Sequence, residues 1–145
     1  VVNIMTNLAY HKKKITVFGG DQLRPNIYIK DMVRAYIAVL DAPISLVSNQ
    51  IFNVGDENLS VSQIAEIVKK EISPNIIIDK STTKDNRSYH VSSSKIKDIL
   101  NFNLRFRVND GIKSMVEAFA TKKIINTFEN DEYYNLKVLN NINLS

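Results

Sequence analysis

The stretch Ile15-Thr16-Val17-Phe18-Gly19-Gly20-Asp21-Gln22-Leu23-Arg24-Pro25-Asn26-Ile27-Tyr28-Ile29-Lys30-Asp31 decides how the chain is read. Ile15 to Phe18 is a short β-prone run, and Gly19-Gly20-Asp21 is a turn signal that stops it. Pro25 opens a second extended run over Asn26 to Ile29. Asp31 has the chemistry of a helix cap, and the helix after it would bury Met32, Val33, Tyr36, Ile37 and Leu40. Strand, turn, strand and helix follow one another within some thirty residues.

Upstream, Val1, Met5, Leu8 and Ala9 fall on one helical face over residues 1–12. The start has no initiator Met and reads as a helix entered midway, which raises the expectation of a truncated chain. Downstream of a loop from Pro43 to Asn49, Gln50-Ile51-Phe52-Asn53-Val54 reads as a buried strand ending at Gly55. Ser60-Val61-Ser62-Gln63 has the form of a capping box, and Ile64, Ile67, Val68 and Ile72 extend it as an amphipathic helix. Asn75 to Asp79 is the next expected strand, and residues 80–90 are a polar loop. A short helix is expected at Lys95 to Leu100 with Ser92 or Ser93 as its cap. Asn109 is placed to cap the last strong helix, which carries Ile112, Met115, Val116 and Phe119. Beyond Thr127 an Asn-rich peripheral tail is expected, with Tyr133, Tyr134 and Leu136 as anchors. Helices alternate with short strands, so the fold class is α/β, in one unit.

Composition narrows the function. The 145 residues suffice for one core, and 44% hydrophobic with 23% charged residues is ordinary for a folded domain. The chain has no cysteine, which excludes disulfides and thiolate metal sites and suits a reducing, cytoplasmic setting. No apolar run reaches the ~18 residues of a membrane span. The net charge of +4 is scattered, apart from His11-Lys12-Lys13-Lys14 at an expected helix end, so no nucleic-acid surface is expected.

Four glycines, Gly19, Gly20, Gly55 and Gly111, build no dinucleotide-binding fingerprint. Tyr10/Lys14 and Tyr133/Lys137 have the spacing of a Tyr-Lys catalytic pair. Six tyrosines and fourteen lysines give about 0.6 such pairs by chance, and neither pair follows a nucleotide-binding unit, so no catalytic residue is assigned. His11 and His90 lack metal-ligand company. Two arginines on expected loops stand out, Arg24 and Arg87, because guanidinium groups fork onto phosphate oxygens.

The opening stretch resembles the strand, glycine turn and R-x-x-I-H-V-x-D run of extended short-chain dehydrogenase/reductases, the NAD-dependent sugar-nucleotide epimerases and dehydratases. Tyr28 stands in place of the family's usual His. Gln50 to Gly55 is similar to its F/Y-N-V-G strand, and Ser60 to Ala65 to the helix start that follows. Asp85-Asn86-Arg87-Ser88-Tyr89-His90-Val91 with Ser93-Ser94-Lys95-Ile96 resembles D-x-R-x-Y-x-V-D-x-S-K, with Ser92 in place of the Asp. Asn109-Asp110-Gly111-Ile112 is similar to the opening of its last helix.

The resemblance implies the carboxy-terminal, substrate-binding portion of a Rossmann-type enzyme over residues 1–126, with 127–145 as the tail. The amino-terminal half, holding NAD and the Tyr-x-x-x-Lys pair, would be absent. It implies Arg24 and Arg87 on the diphosphate of a nucleoside diphosphate sugar, and Thr16 with Phe18 at the base. The parent, a homodimer on this reading, would oxidise a sugar hydroxyl with NAD and return the hydride, with or without loss of water. The rival expectation is a non-catalytic relative that binds a nucleotide or a protein.

Overall fold

The computed structural model describes residues 1–55, 57–84 and 87–142, so Asp85 and Asn86 of the arginine-bearing loop lie outside the described residues. Helix α1 (Val2–Lys12) runs into strand β1 (Lys14–Phe18) through Lys13, whose left-handed backbone (φ 54°) turns the chain. Strand β2 (Leu23–Asn26) leads to helix α2 (Ile29–Asp41), a single turn α3 (Ile44–Val47) and strand β3 (Glu57–Ser60). Helix α4 (Val61–Ile72), strand β4 (Ile77–Ser81), helix α5 (Ser94–Leu100) and helix α6 (Val108–Ala120) follow, then helix α7 (Asn135–Asn141).

Two small sheets organise the fold. β1 and β4 pair in parallel, with Lys14 opposite Ile77 and Phe18 opposite Ser81. β2 and β3 pair antiparallel, with Leu23 opposite Ser60 and Asn26 opposite Glu57. The alternation of β1 sends Ile15 and Val17 into the core and leaves Lys14 and Phe18 exposed, as a period of two requires. Those two side chains meet Met5 and Ala9 of α1, Ile64, Ala65 and Val68 of α4, and Ile112 of α6 in one cluster. A second cluster gathers Ala35 of α2, Ile96 of α5 and Phe102, with Phe52 and Val54 packed against it.

Helix α4 starts as its sequence dictates. The Ser60 hydroxyl accepts from Gln63 N–H at 3.1 Å, and Ser60 N–H donates to the Gln63 side-chain oxygen at 2.8 Å. The fully buried Ile64 contributes about 2–3 kcal/mol of apolar transfer.

Several expectations are corrected. Asp31 does not cap α2; the N-cap is Tyr28, and Asp31 lies inside the helix, completely buried. Its carboxylate accepts from Arg105 N–H and Phe106 N–H, each at 2.9 Å, and from Arg34 Nη1, so it staples α2 to the segment before α6. The stripe assigned as buried on α2 is the exposed one: Val33, Tyr36, Ile37 and Leu40 face outward, while Asp31 and Ala35 face in.

Gln50 to Val54 forms no ladder, because no described strand lies beside it to accept its hydrogen bonds. Asn109 does not cap α6. The first turn is satisfied by two carboxylates instead: Asp110 accepts from Arg107 N–H at 2.7 Å and Glu57 from Val108 N–H at 2.6 Å. Ser93 occupies the N-cap of α5, yet its hydroxyl turns to Gly55, donating to the carbonyl at 2.7 Å and accepting from the N–H at 2.8 Å. Beyond Thr127 the chain forms α7, and Tyr134 anchors it through Thr127 O at 2.9 Å while Leu136 stays exposed.

Candidate functional site

The Gly19-Gly20 turn is the pivot of the candidate site. Both glycines hold positive φ, 75° and 130°. A Cβ on Gly20 would stand 2.3 Å from the Ser62 hydroxyl, which would have to rotate away, and the positive φ strains any side chain there. Gln22 ties the turn from within: its side-chain oxygen accepts from Gly20 N–H at 2.7 Å and its amide donates to Phe18 O at 3.1 Å. The turn then covers the start of α4, where Ser62 N–H donates to Gly20 O at 2.9 Å and Val61 N–H to Gln22 O at 3.1 Å. The helix end that could have held an anion is thus occupied by carbonyls of the chain itself.

Strand β2 leaves this turn and meets residues 87–91 on its way. Leu23 N–H donates to the Ser88 hydroxyl at 2.9 Å, and Tyr89 N–H returns a bond to Leu23 O at 3.2 Å. Asn58 of β3 clasps Val91 through both amide atoms, each at 2.9 Å. Arg24 Nη1 donates to Arg87 O at 2.6 Å, and its guanidinium lies 5.5 Å from the centre of the Tyr89 ring. The two segments singled out in the sequence are therefore in contact, although the contact runs from the Arg24 side chain to the Arg87 backbone.

Beside this junction opens a cleft of about 440 Å³ lined by Gly19, Asp21, Gln22, Thr82, Thr83 and Ser88. Its walls offer hydroxyls, an amide and a carboxylate, the groups that bind polyhydroxylated ligands. Thr16 and Phe18 stand on the opposite face of β1 from the core, Thr16 paired with Asp79 and Phe18 58% exposed at the strand end. Neither is among the described walls of the cleft. Sequence reasoning passed over Gln22, Ser88 and Tyr89, all of which sit inside the quoted motifs. Their signal was adjacency to Arg24 and Arg87.

The lysines of the two Tyr-Lys pairs turn to other partners. Lys14 lies on β1, beyond the turn at Lys13, and binds Asp79 at 2.5 Å, while Tyr10 packs on Phe119. Lys137 donates to Asp131 at 2.7 Å, and that hydrogen bond raises its pKa. In the lysine cluster at the end of α1, Lys13 reaches Tyr10 O at 2.7 Å and Lys12 sits 4.7 Å from the Phe128 ring centre. Among the described residues no group of His, Cys, Asp and Glu is placed to hold a metal, and no helix is long and apolar enough to cross a membrane.

Comparison with known proteins bears on the same region. A model described as the NAD dependent epimerase/dehydratase family matches residues 1–55. Over those residues the chain is similar to that family.

The epimerase/dehydratase match spans α1, the glycine turn, Arg24 and α2, and ends at Gly55. No curated protein matches the chain by sequence. Among solved structures, L-threonine dehydrogenase from Phytophthora infestans superposes with TM-score 0.71 at 17% identity, over 82% of this chain and 40% of that one. UDP-glucose 4-epimerase from Thermotoga maritima, solved with UDP-glucose, gives 0.68 at 23% identity, over 85% and 40%. UDP-N-acetylglucosamine 4-epimerase from Bacillus cereus gives 0.69 at 18%, over 82% and 42%. At these identities the likeness establishes the α/β fold. The chain spans about 40% of the length of the structures it matches.

The family's NAD does not fit the described residues of this chain. The Gly19-Gly20 turn runs into strand β2 rather than a helix, and the start of α4 beside it is closed by Gly20 O and Gln22 O. Gly55 is clasped by Ser93, and Gly111 lies inside α6.

Proposed function

We propose that this chain supplies the substrate-binding portion of a cytoplasmic, NAD-dependent nucleotide-sugar epimerase or dehydratase and holds the diphosphate of a nucleoside diphosphate sugar. One observation carries the reading: Arg24 Nη1 meets Arg87 O at 2.6 Å, joining two arginine-bearing segments beside a hydroxyl- and amide-lined cleft. A diphosphate ester of a sugar asks for both kinds of partner side by side, charged forks for the phosphate oxygens and neutral donors and acceptors for the hydroxyls. Arg24 orders the Arg87 segment as well as bringing its own charge. Thr16 and Phe18, on the outer face of β1, take the base.

On this reading residues 1–126 form the substrate portion, with 127–145 peripheral to it. The catalytic Tyr-Lys pair and the NAD site belong to the remainder of the fold, in the amino-terminal direction. NAD, bound there, would store the hydride taken from the sugar, and this chain alone is inactive.

The test is calorimetric titration of the chain with UDP-glucose, UDP, uridine and L-threonine. UDP and UDP-glucose are expected to bind, and uridine at least tenfold more weakly, since it lacks the phosphates. Arg24→Ala and Arg87→Ala should each weaken UDP binding by about 10–100-fold, the worth of a charge-assisted hydrogen bond. Arg24→Lys, which keeps the charge and loses the fork, should fall between. Equal affinity for uridine and UDP, or unchanged binding in both alanine variants, overturns the reading, and binding of L-threonine alone replaces the substrate class.

A further inference from the structure

The cleft beside the arginine junction has one charged wall, and its sign is wrong for phosphate. Of the described walls, Gly19, Asp21, Gln22, Thr82, Thr83 and Ser88, only Asp21 carries a charge at neutral pH, and none is cationic. Among the described residues no hydrogen bond or ion pair occupies the Asp21 carboxylate, which stands exposed on the turn. A carboxylate repels phosphate oxygens and accepts readily from hydroxyls, so this wall suits a neutral, hydroxylated group. The Ser88 hydroxyl, which accepts from Leu23 N–H at 2.9 Å, keeps its own proton to donate to such a group.

The order of residues along the turn selects that group. Phe18, taken as the seat of the base, precedes Gly19, and Arg24, taken as a phosphate fork, follows Leu23. Asp21 and Gln22 lie between them, and the Gln22 amide donates to Phe18 O at 3.1 Å, which keeps the cleft wall beside the end of β1. In a nucleoside diphosphate sugar the unit between base and diphosphate is the ribose, while the second sugar lies beyond the diphosphate. We infer that Asp21 recognises the ribose, its two carboxylate oxygens accepting from the vicinal 2′- and 3′-hydroxyls, so that the site takes ribonucleoside diphosphate sugars in preference to 2′-deoxyribonucleoside ones. The inference rests on the proposed roles of Phe18, Arg24 and Arg87 and adds a specificity residue to them. Loss of the 2′-hydroxyl leaves one carboxylate oxygen without its donor.

The test is calorimetric titration of the chain with UDP, 2′-deoxy-UDP, uridine and 2′-deoxyuridine, repeated with Asp21→Ala and Asp21→Asn. The unsubstituted chain should bind UDP about tenfold more tightly than 2′-deoxy-UDP, the worth of one hydrogen bond to a charged group. In Asp21→Ala the two should bind within about twofold of each other, because no carboxylate is left to tell them apart. Asp21→Asn, which keeps one acceptor oxygen, should retain part of the ratio. Tm should stay within about 1 °C in both variants, since the side chain is exposed. The ratio of ribo to deoxy ligand is a readout that a merely structural role for Asp21 would not move.

Equal binding of UDP and 2′-deoxy-UDP by the unsubstituted chain overturns the ribose contact, and so does a ratio that survives in Asp21→Ala. The nucleosides separate this outcome from the diphosphate reading. If UDP and uridine bind equally, the arginines do not hold phosphate, yet a preference for uridine over 2′-deoxyuridine that disappears in Asp21→Ala still supports the contact. If UDP binds more tightly than uridine and no ligand pair shows a ribose preference, the diphosphate stays and the role of Asp21 is discarded. Failure of all four ligands to bind overturns both.

Discussion

Helices α4 and α2 carry apolar stripes of similar length, and the fold treats them oppositely. In α4 the stripe of Ile64, Ala65 and Val68 is sealed beneath α1 and against β1. In α2 the larger stripe faces out, with Leu40 81% exposed, and a carboxylate, Asp31, faces in. Periodicity reports that a helix has an apolar side and says nothing about where the cover for that side comes from. For α4 the cover lies within the same 145 residues. The small side chains Ala35 and Ala38 and the buried Asp31 hold α2 from its other side instead.

The contrast can be broken most forcefully at Asp31. Asp31→Ala strands two backbone N–H groups and the Arg34 guanidinium, and should cost about 3–5 kcal/mol in urea unfolding. Asp31→Asn, which keeps a single acceptor oxygen, should recover part of this. A result under 1 kcal/mol for the alanine would show that α2 is held by its alanines alone. On the α4 side, Ile64→Ala should cost about 2–4 kcal/mol through lost transfer energy and the cavity it leaves.

Gly20→Ala tests the turn that closes the start of α4. Positive φ and the Ser62 hydroxyl in its way should cost about 1–3 kcal/mol, and Gly20→Ala with Ser62→Gly, which removes the clash but not the strained backbone, should retain part of that loss. Ser60→Ala removes half of the capping box and should cost about 1 kcal/mol. The smallest effect sharpens the comparison. Leu40→Ser should change stability by less than about 0.5 kcal/mol, although the sequence alone ranks Leu40 with Ile64 as a core residue.

What could be read from the letters followed the range of the interaction. The capping box is complete within Ser60 to Gln63, so its signal was local and α4 appeared where expected. The turn at Gly19-Gly20 was equally local, since its positive φ angles favour glycine whatever lies nearby. Asp31 misled because a short acidic side chain ahead of an apolar run looks like a cap. The groups it serves, Arg105 N–H and Phe106 N–H, lie far along the chain.

Strand β3 was invisible for the same reason. Glu57-Asn58-Leu59-Ser60 has little β character of its own and becomes a strand by pairing with β2. In the candidate site, resemblance pointed to Arg24 and Arg87. That Arg24 would hold the backbone of the other segment, with Ser88 and Tyr89 completing the joint, needed coordinates.

The parallel pairing of β1 with β4 has a consequence during synthesis. Lys14 must wait for Ile77 to be made, and translation at about 5–20 residues per second puts several seconds between them. Through that interval the nascent β1 carries Ile15 and Val17 without β4 and without α4, a fragment suited to chaperones that bind short apolar runs. The core can close only after the ribosome has passed residue 81 and released β4 from its exit tunnel, so a pause or premature stop in the first half yields an unsealed, aggregation-prone piece rather than a smaller folded one.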